Sequence, residues 1–224
     1  KKTKFNGSYF YNESQLQLDQ FSFRETILND GTFTNTDTLN REEFRGNHSF
    51  ATRLEQQIDS LDLIIVKANL RFSQSDNSNR QAQLFSQQGN VPTNSLLLDN
   101  GGDLYSWRLT SAAIYRHRFK KKARSFALSA GFNANDSDGT DNLFSLNQFF
   151  EAATFTEQIR QLNQKTNSSR QIKSSALFTE PLAKRWFWET FFNFNQTDNT
   201  VNRQVQDPER NNARIDDLSV FYDF

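Results

Sequence analysis

The stretch Ile64-Ile65-Val66-Lys67-Ala68-Asn69-Leu70-Arg71-Phe72-Ser73 puts Ile64, Val66, Ala68, Leu70 and Phe72 on one side of an extended chain and Lys67, Asn69, Arg71 and Ser73 on the other. Apolar residues that recur at every second position mark a β-strand whose two faces meet different surroundings. The pattern returns in Phe126, Leu128, Ala130, Phe132 and Ala134, and again in Trp186, Trp188, Thr190, Phe192 and Phe194. Weaker runs at residues 5–11, 50–58, 107–119, 172–178 and 218–224 obey the same rule, which predicts about eight strands. Read this way, the apolar face carries no Asp, Glu, Lys or Arg. The opposite face carries Lys4, Arg53, Glu55, Lys67, Arg71, Arg108, Arg116, Lys173, Glu189 and Asp217.

A charge-free band against lipid and a polar lumen behind it would produce this partition, so the fold class expected is all-β, a transmembrane antiparallel β-barrel segment. The expected lipid-facing residues are Ile64, Val66, Leu70, Phe126, Leu128, Phe132, Trp188, Phe192 and Phe194. The expected lumen-facing residues are Arg53, Glu55, Lys67, Arg71, Arg108, Arg116, Lys173 and Glu189.

Composition supports a strand-built membrane protein and excludes several other classes. The 224 residues balance 26 basic against 26 acidic side chains, so no overall field favours nucleic acid. Cysteine is absent, which removes disulfides, thiolate metal sites and a cysteine nucleophile. Hydrophobic residues make up 35% of the chain and include 23 Phe, too aromatic for a disordered chain. No stretch approaches the roughly 18 to 20 apolar residues of a helical span. The chain begins at Lys1, contains no Met and shows no signal peptide, and is read as a piece of a longer or processed protein forming a single domain segment.

The connections alternate in length. Short turns are expected at residues 59–62, 120–123 and 180–184, and long polar loops at residues 75–103, 136–168 and 198–214, with Asn29-Asp30-Gly31 at the tip of a long hairpin. Outer-membrane barrels have short periplasmic turns and long external loops, which orients the chain. Aromatics fall near the short turns (Phe119, Phe126, Phe178, Trp186, Trp188) and near the long-loop ends (Tyr11, Phe72, Trp107, Phe194), as two interfacial girdles would place them. The mixed spacing of Phe149, Phe150, Ala152, Ala153, Phe155, Ile159 and Leu162 admits a short helix over residues 152–164.

Four stretches resemble the outer-membrane β-barrel family related to TonB-dependent receptors: FNGSYFYN at residues 5–12, NHSFATRLEQQIDSLDLIIVKANLRFS at 47–73, YRHRFKKKARSFALSAGFNAND at 115–136 and SALFTEPLAKRWFWETFFNFNQTDN at 175–199. The resemblance implies a barrel of about 22 strands, of which this chain holds a minority. It further implies that the plug and the TonB-interacting segment lie outside this chain, and that the function is uptake of a nutrient or a metal chelate. The implied location is the outer membrane of a Gram-negative bacterium. The implied partners are outer-membrane lipid and lipopolysaccharide, the remaining strands and plug of the same protein, TonB and an extracellular lipoprotein. Two other readings stand beside it: a non-transporting structural or accessory subunit of an outer-membrane assembly, and a small complete eight-stranded barrel acting as adhesin or passive pore.

Candidates for chemistry are sparse. His48 and His117 are the sole histidines, no nucleophile motif accompanies them, and the resemblance carries over no catalytic residue, so no enzyme activity is expected. Asp136, Asp138 and Asp141 around Gly139 form the one constellation suited to a hard cation such as calcium, against the competing reading of an Asp-Gly loop tip. The basic cluster Lys120, Lys121, Lys122 and Arg124 reads as a solvated turn within reach of lipid headgroups.

Overall fold

The computed structural model of the chain describes residues 2–29, 31–87, 91–150 and 154–224. Alternating apolar and polar residues fold into β1 (Lys2–Leu28), β2 (Gly31–Gln57), β3 (Asp62–Gln87), β4 (Val91–Arg118), β5 (Ser125–Phe149), β6 (Phe155–Ala183) and β7 (Trp186–Asp207). Two short strands follow, β8 (Ala213–Arg214) and β9 (Val220–Asp223). All nine belong to one antiparallel sheet in which β1 to β8 lie in chain order, while β9 pairs with β7. The sheet is a single layer, and the buried apolar residues among those described are only Ile65, Ala134 and Val205.

The register fixes which residues share a face, because directly opposed residues in antiparallel strands point the same way. Leu54 opposes Val66, Val66 opposes Ala113, Ala113 opposes Ala130, Ala130 opposes Ser174 and Ser174 opposes Phe194. Followed across the sheet, the ladders put odd-numbered residues of β1 and β4 on the same face as even-numbered residues of β2, β3, β5, β6 and β7.

Connection lengths differ from the sequence expectation in one important respect. Residues 75–87 and 91–103, and residues 136–149 and 155–168, are hairpin arms, with Asp76 opposite Asp103, Gln83 opposite Leu96, Asp138 opposite Thr166 and Leu146 opposite Gln158. Long stretches of Asn, Ser, Asp, Gln and Gly in these segments, with few regularly alternating apolar residues, hide them from recognition as strands. They still ladder, because their side chains bond across the strands. Asn79 donates to Asn100 at 2.9 Å, Gln81 to Asp37 at 3.0 Å, and Asn167 to Ser137 at 3.3 Å. The helix expected over residues 152–164 is likewise replaced by strand from Phe155 onward, with Phe155 stacked on Phe149 across the ladder; Ala152 lies outside the described residues. Of residues 198–214, those up to Asp207 extend β7, and the remainder form a 3-10 turn at Pro208–Arg210 and β8.

The expected short turns do lie together at one end of the sheet, since in an antiparallel meander the β2–β3, β4–β5 and β6–β7 connections share an end. The first is an Asx turn in which the backbone N–H groups of Leu61 and Asp62 donate to Asp59 Oδ1 at 2.7 and 2.8 Å. The third falls at Lys184-Arg185, slightly later than expected, because β6 runs through Pro181 with a register irregularity at Pro181/Ala183. Proline is tolerated at such an irregularity, where no ladder hydrogen bond is needed. At the opposite end, Asn29 follows β1 as a turn residue; Asp30 lies outside the described residues.

The last predicted strand is shorter and inverted. Leu218 belongs to a 3-10 turn, and the register of β9 sets Val220 and Tyr222 opposite Arg203 and Val201, on the face of the inward set, while Asp223 opposes Thr200 on the other face. Without a partner strand in view, alternation alone gives a strand's two faces but not which is which.

Close backbone approach provides a test of the β4–β5 ladder. A Cβ on Gly102 would lie 2.1 Å from the Thr140 carbonyl oxygen, whereas one on Gly131 would meet nothing nearer than 3.5 Å. Gly102→Ala is expected to cost about 1–3 kcal/mol through overpacking, and Gly131→Ala under about 1 kcal/mol. Chemical denaturation of the two variants side by side checks this; equal midpoints would contradict the arm's being a ladder at Gly102.

Candidate functional site

The functional geometry lies in the two faces of the sheet. All nine residues expected to face lipid occupy one face by the register: Ile64, Val66 and Leu70 of β3, Phe126, Leu128 and Phe132 of β5, and Trp188, Phe192 and Phe194 of β7. All eight expected to face a lumen occupy the other: Arg53 and Glu55 of β2, Lys67 and Arg71 of β3, Arg108 and Arg116 of β4, Lys173 of β6 and Glu189 of β7. Trp188 and Phe192 are each 61% exposed, so this apolar face is unpacked.

The apolar face is bounded by aromatics at both ends. Tyr11, His48, Phe72 and Trp107 stand side by side on four consecutive strands. Tyr9 Oη and His48 Nδ1 lie 2.9 Å apart, and the Tyr11 and His48 rings are 4.6 Å apart. Arg170 lies over Trp107 at 5.4 Å and pairs with Asp136 at 2.7 Å. Near the short turns, Phe126 opposes Phe178, Phe119 meets Phe178 edge-on at 6.1 Å, and His117 meets Phe119 at 4.4 Å. Phe194 departs from the expected upper row and lies level with Val66, well inside the apolar band. Both histidine rings are thus engaged within the sheet, His117 through a 2.7 Å contact of Nδ1 with Asp62 Oδ1.

The inward face is not uniformly polar. Near the short turns Leu63, Ile65, Ile114, Leu177 and Phe191 share it, an apolar patch that the sequence reading passed over because each sits between residues of a stronger alternation. Above the patch come Asn69, Thr110, Asn133 and Gln171, of which Asn133 donates to Gln171 at 3.0 Å.

The calcium constellation does not assemble. Asp136, Asp138 and Asp141 lie along the extended β5 strand, where alternation sends Asp141 to the face opposite Asp136 and Asp138. Asp136 is held by Arg170, and Asp141 by Lys165 at 3.2 Å. Among the described residues no group of three carboxylates or imidazoles is gathered as metal ligands. The Asp-Gly signal that suggested a loop belongs to a strand passing close to its neighbour at Gly139.

The basic turn cluster is partly neutralised. Lys121 Nζ donates to Glu180 at 2.6 Å and the Arg124 guanidinium donates to both Glu180 oxygens, which lowers the Glu180 carboxyl to about 2, Arg124 acting more strongly than Lys121. Comparison with models of known protein families finds none that matches the chain, and comparison with curated proteins finds no relative.

Because the folded value lies below the ordinary 4.5, the Glu180 contribution is fully present above that pH and is lost as pH falls toward about 2. A carboxyl carbon NMR titration is expected to give a midpoint near 2, shifting upward in Arg124→Gln. An unshifted midpoint in that variant would show the turn is not clamped as described.

Proposed function

We propose that this chain is a membrane-spanning part of an outer-membrane β-barrel related to TonB-dependent receptors, serving uptake of a nutrient or metal chelate. The observation that supports it most is a single-layer sheet, one face of which has an apolar band with its charges toward the band's margins, such as Asp62 below and Asp136 and Arg170 above, and no second layer among the described residues to cover it. A sheet in water buries its apolar face against another layer. Lipid removes that requirement.

Dimensions agree with a bilayer. On β3 the outward positions from Asp62 at the lower aromatic level to Phe72 at the upper are ten residues apart, about 33 Å along the strand at about 3.3 Å per residue. At a barrel strand tilt of about 40° this is a band about 25 Å tall, the height of the apolar belt of such barrels. The strands then continue for a further fifteen residues on β3 to Gln87, a reach that raises the polar hairpins clear of the membrane on the outer side.

Open edges support a larger barrel. No ladder joins β1 to β7, β8 or β9 among the described residues, β1 is exposed along its whole length, and β7 below Asn199 pairs on one side only. Unpaired backbone edges are not tolerated in hydrocarbon, so further strands complete the wall and a plug and TonB supply gating and energy. The same open edges weigh against a small closed barrel acting as adhesin or pore. Lipopolysaccharide meets the outer aromatic row, and an extracellular lipoprotein caps the hairpins. The non-transporting accessory subunit shares all of this geometry and differs in lacking the plug and the TonB-interacting segment.

Val66→Arg, at mid-band on the apolar face, is expected to cost about 2–4 kcal/mol in a folding titration into phosphatidylcholine vesicles. Asn193→Arg on the opposite face is expected to be near neutral. Equal costs would contradict the assignment of the faces.

A further inference from the structure

In the central part of the inward face, cations meet cations. Arg53 opposes Lys67 directly, and four residues higher Arg71 opposes Arg108 directly. Like charges at opposed positions, with Cβ atoms about 5 Å apart, destabilise a sheet. Lys173 lies level with Lys67 across the small residues Ala112 and Gly131. Ion pairs occur elsewhere, as in Arg80–Asp99, Lys165–Asp141 and Arg170–Asp136, but within this group the described residues offer only Glu55, bridged by Arg53 at 3.1 Å. Arg108 finds only a neutral acceptor, Asn135, at 3.5 Å.

The two cationic levels are separated by about 13 Å, four residues at about 3.3 Å each. Between them lies an uncharged row of Asn69 and Thr110, and a depression there is lined by Ser8, Arg53, Lys67, Asn69, Thr110 and Ala112, with Arg71 and Arg108 beyond its upper margin. A floor of amide and hydroxyl donors with guanidinium and ammonium groups above and below is the chemistry that recognises an oxyanion. Charge complementarity selects the occupant, since an anion in the depression relieves the Arg53/Lys67 repulsion and lies below the second cationic pair, Arg71 and Arg108.

We propose that this inward depression binds a small oxyanion, phosphate- or carboxylate-bearing, reached from the aqueous lumen. The inference rests on the reading of this face as the lumen wall and names the class of solute the lumen prefers. Lys67 and Arg53 hold the anion, Asn69 and Thr110 donate to it from the floor, and Arg71 and Arg108 add positive field from the level above.

The test is isothermal titration of the full chain, folded in dodecyl maltoside micelles, with inorganic phosphate and separately with citrate. Saturable binding of either is expected, weakened by about ten-fold or more in the Arg53→Gln/Lys67→Gln double variant, as the loss of charge-assisted hydrogen bonds implies. The Arg80→Gln variant, far from the depression, is expected to bind as the parent does. Phosphate binding alone or citrate binding alone distinguishes the two sources of the anion. Absence of binding to both, equal affinity in the double variant, or binding of polyglutamate but of neither small anion would overturn the proposal. Should the double variant not fold, Lys67→Gln decides in the same titration, with equal affinity again the overturning result. Flotation of the chain with phosphatidylcholine vesicles is measured separately, so failure of the membrane reading is seen independently of anion binding.

Discussion

Everything in this molecule depends on unbroken backbone register across seven long strands. Each ladder transmits the parity of one strand to the next, so a slip of one residue anywhere would carry a strand's apolar set to the opposite face. The chain Leu54, Val66, Ala113, Ala130, Ser174, Phe194 shows that no such slip occurs between β2 and β7. The irregularities, at Phe85/Ser86 and Pro181/Ala183, fall near strand ends where the parity of the central band is unaffected. Two chemically distinct surfaces therefore arise from a structure whose own cohesion is almost entirely main-chain hydrogen bonding.

A sheet held in that way has no dry core to stabilise it, and its side chains serve its surroundings. Large apolar residues such as Phe5, Phe132, Trp188 and Phe192 stand exposed on one face, an area that in water would drive association. On the other face, cations oppose cations at Arg53/Lys67 and Arg71/Arg108, which a sheet optimised for its own stability would avoid. Each face thus exposes groups the chain itself does not cover, and the media proposed for them are hydrocarbon on one side and water with an anion on the other. The paired charges at Glu180, Arg124 and Lys121 mark the place where the chain turns back and neither demand applies.

Most of the face partition was legible in the sequence, because period-two alternation around Ile64–Phe72, Phe126–Ala134 and Trp186–Phe194 is a direct imprint of strand geometry. The hairpin arms were not. Residues such as Asn77, Ser78, Asn79 and Asn100 carry the composition of loops, and only the hydrogen-bonded pairing of two such segments makes them strands. The same blindness produced the calcium constellation, since three aspartates close in sequence separate onto two faces once the segment is extended. Like-charge opposition at Arg71 and Arg108 was also invisible, because it depends on which residues the register brings together rather than on either strand alone.

The central claim is that one face of this sheet meets lipid and the other water, and the absence of native cysteine makes it directly measurable. Single cysteines introduced in turn at residues 64–72, spin-labelled and reconstituted in phosphatidylcholine bilayers, report collision with lipid-soluble oxygen and with a water-soluble nickel chelate. The account predicts strict alternation, with oxygen favoured at Ile64, Val66, Ala68, Leu70 and Phe72 and nickel favoured at Ile65, Lys67, Asn69 and Arg71. Oxygen and nickel accessibilities that rise and fall together, or nickel access at every position, would contradict it.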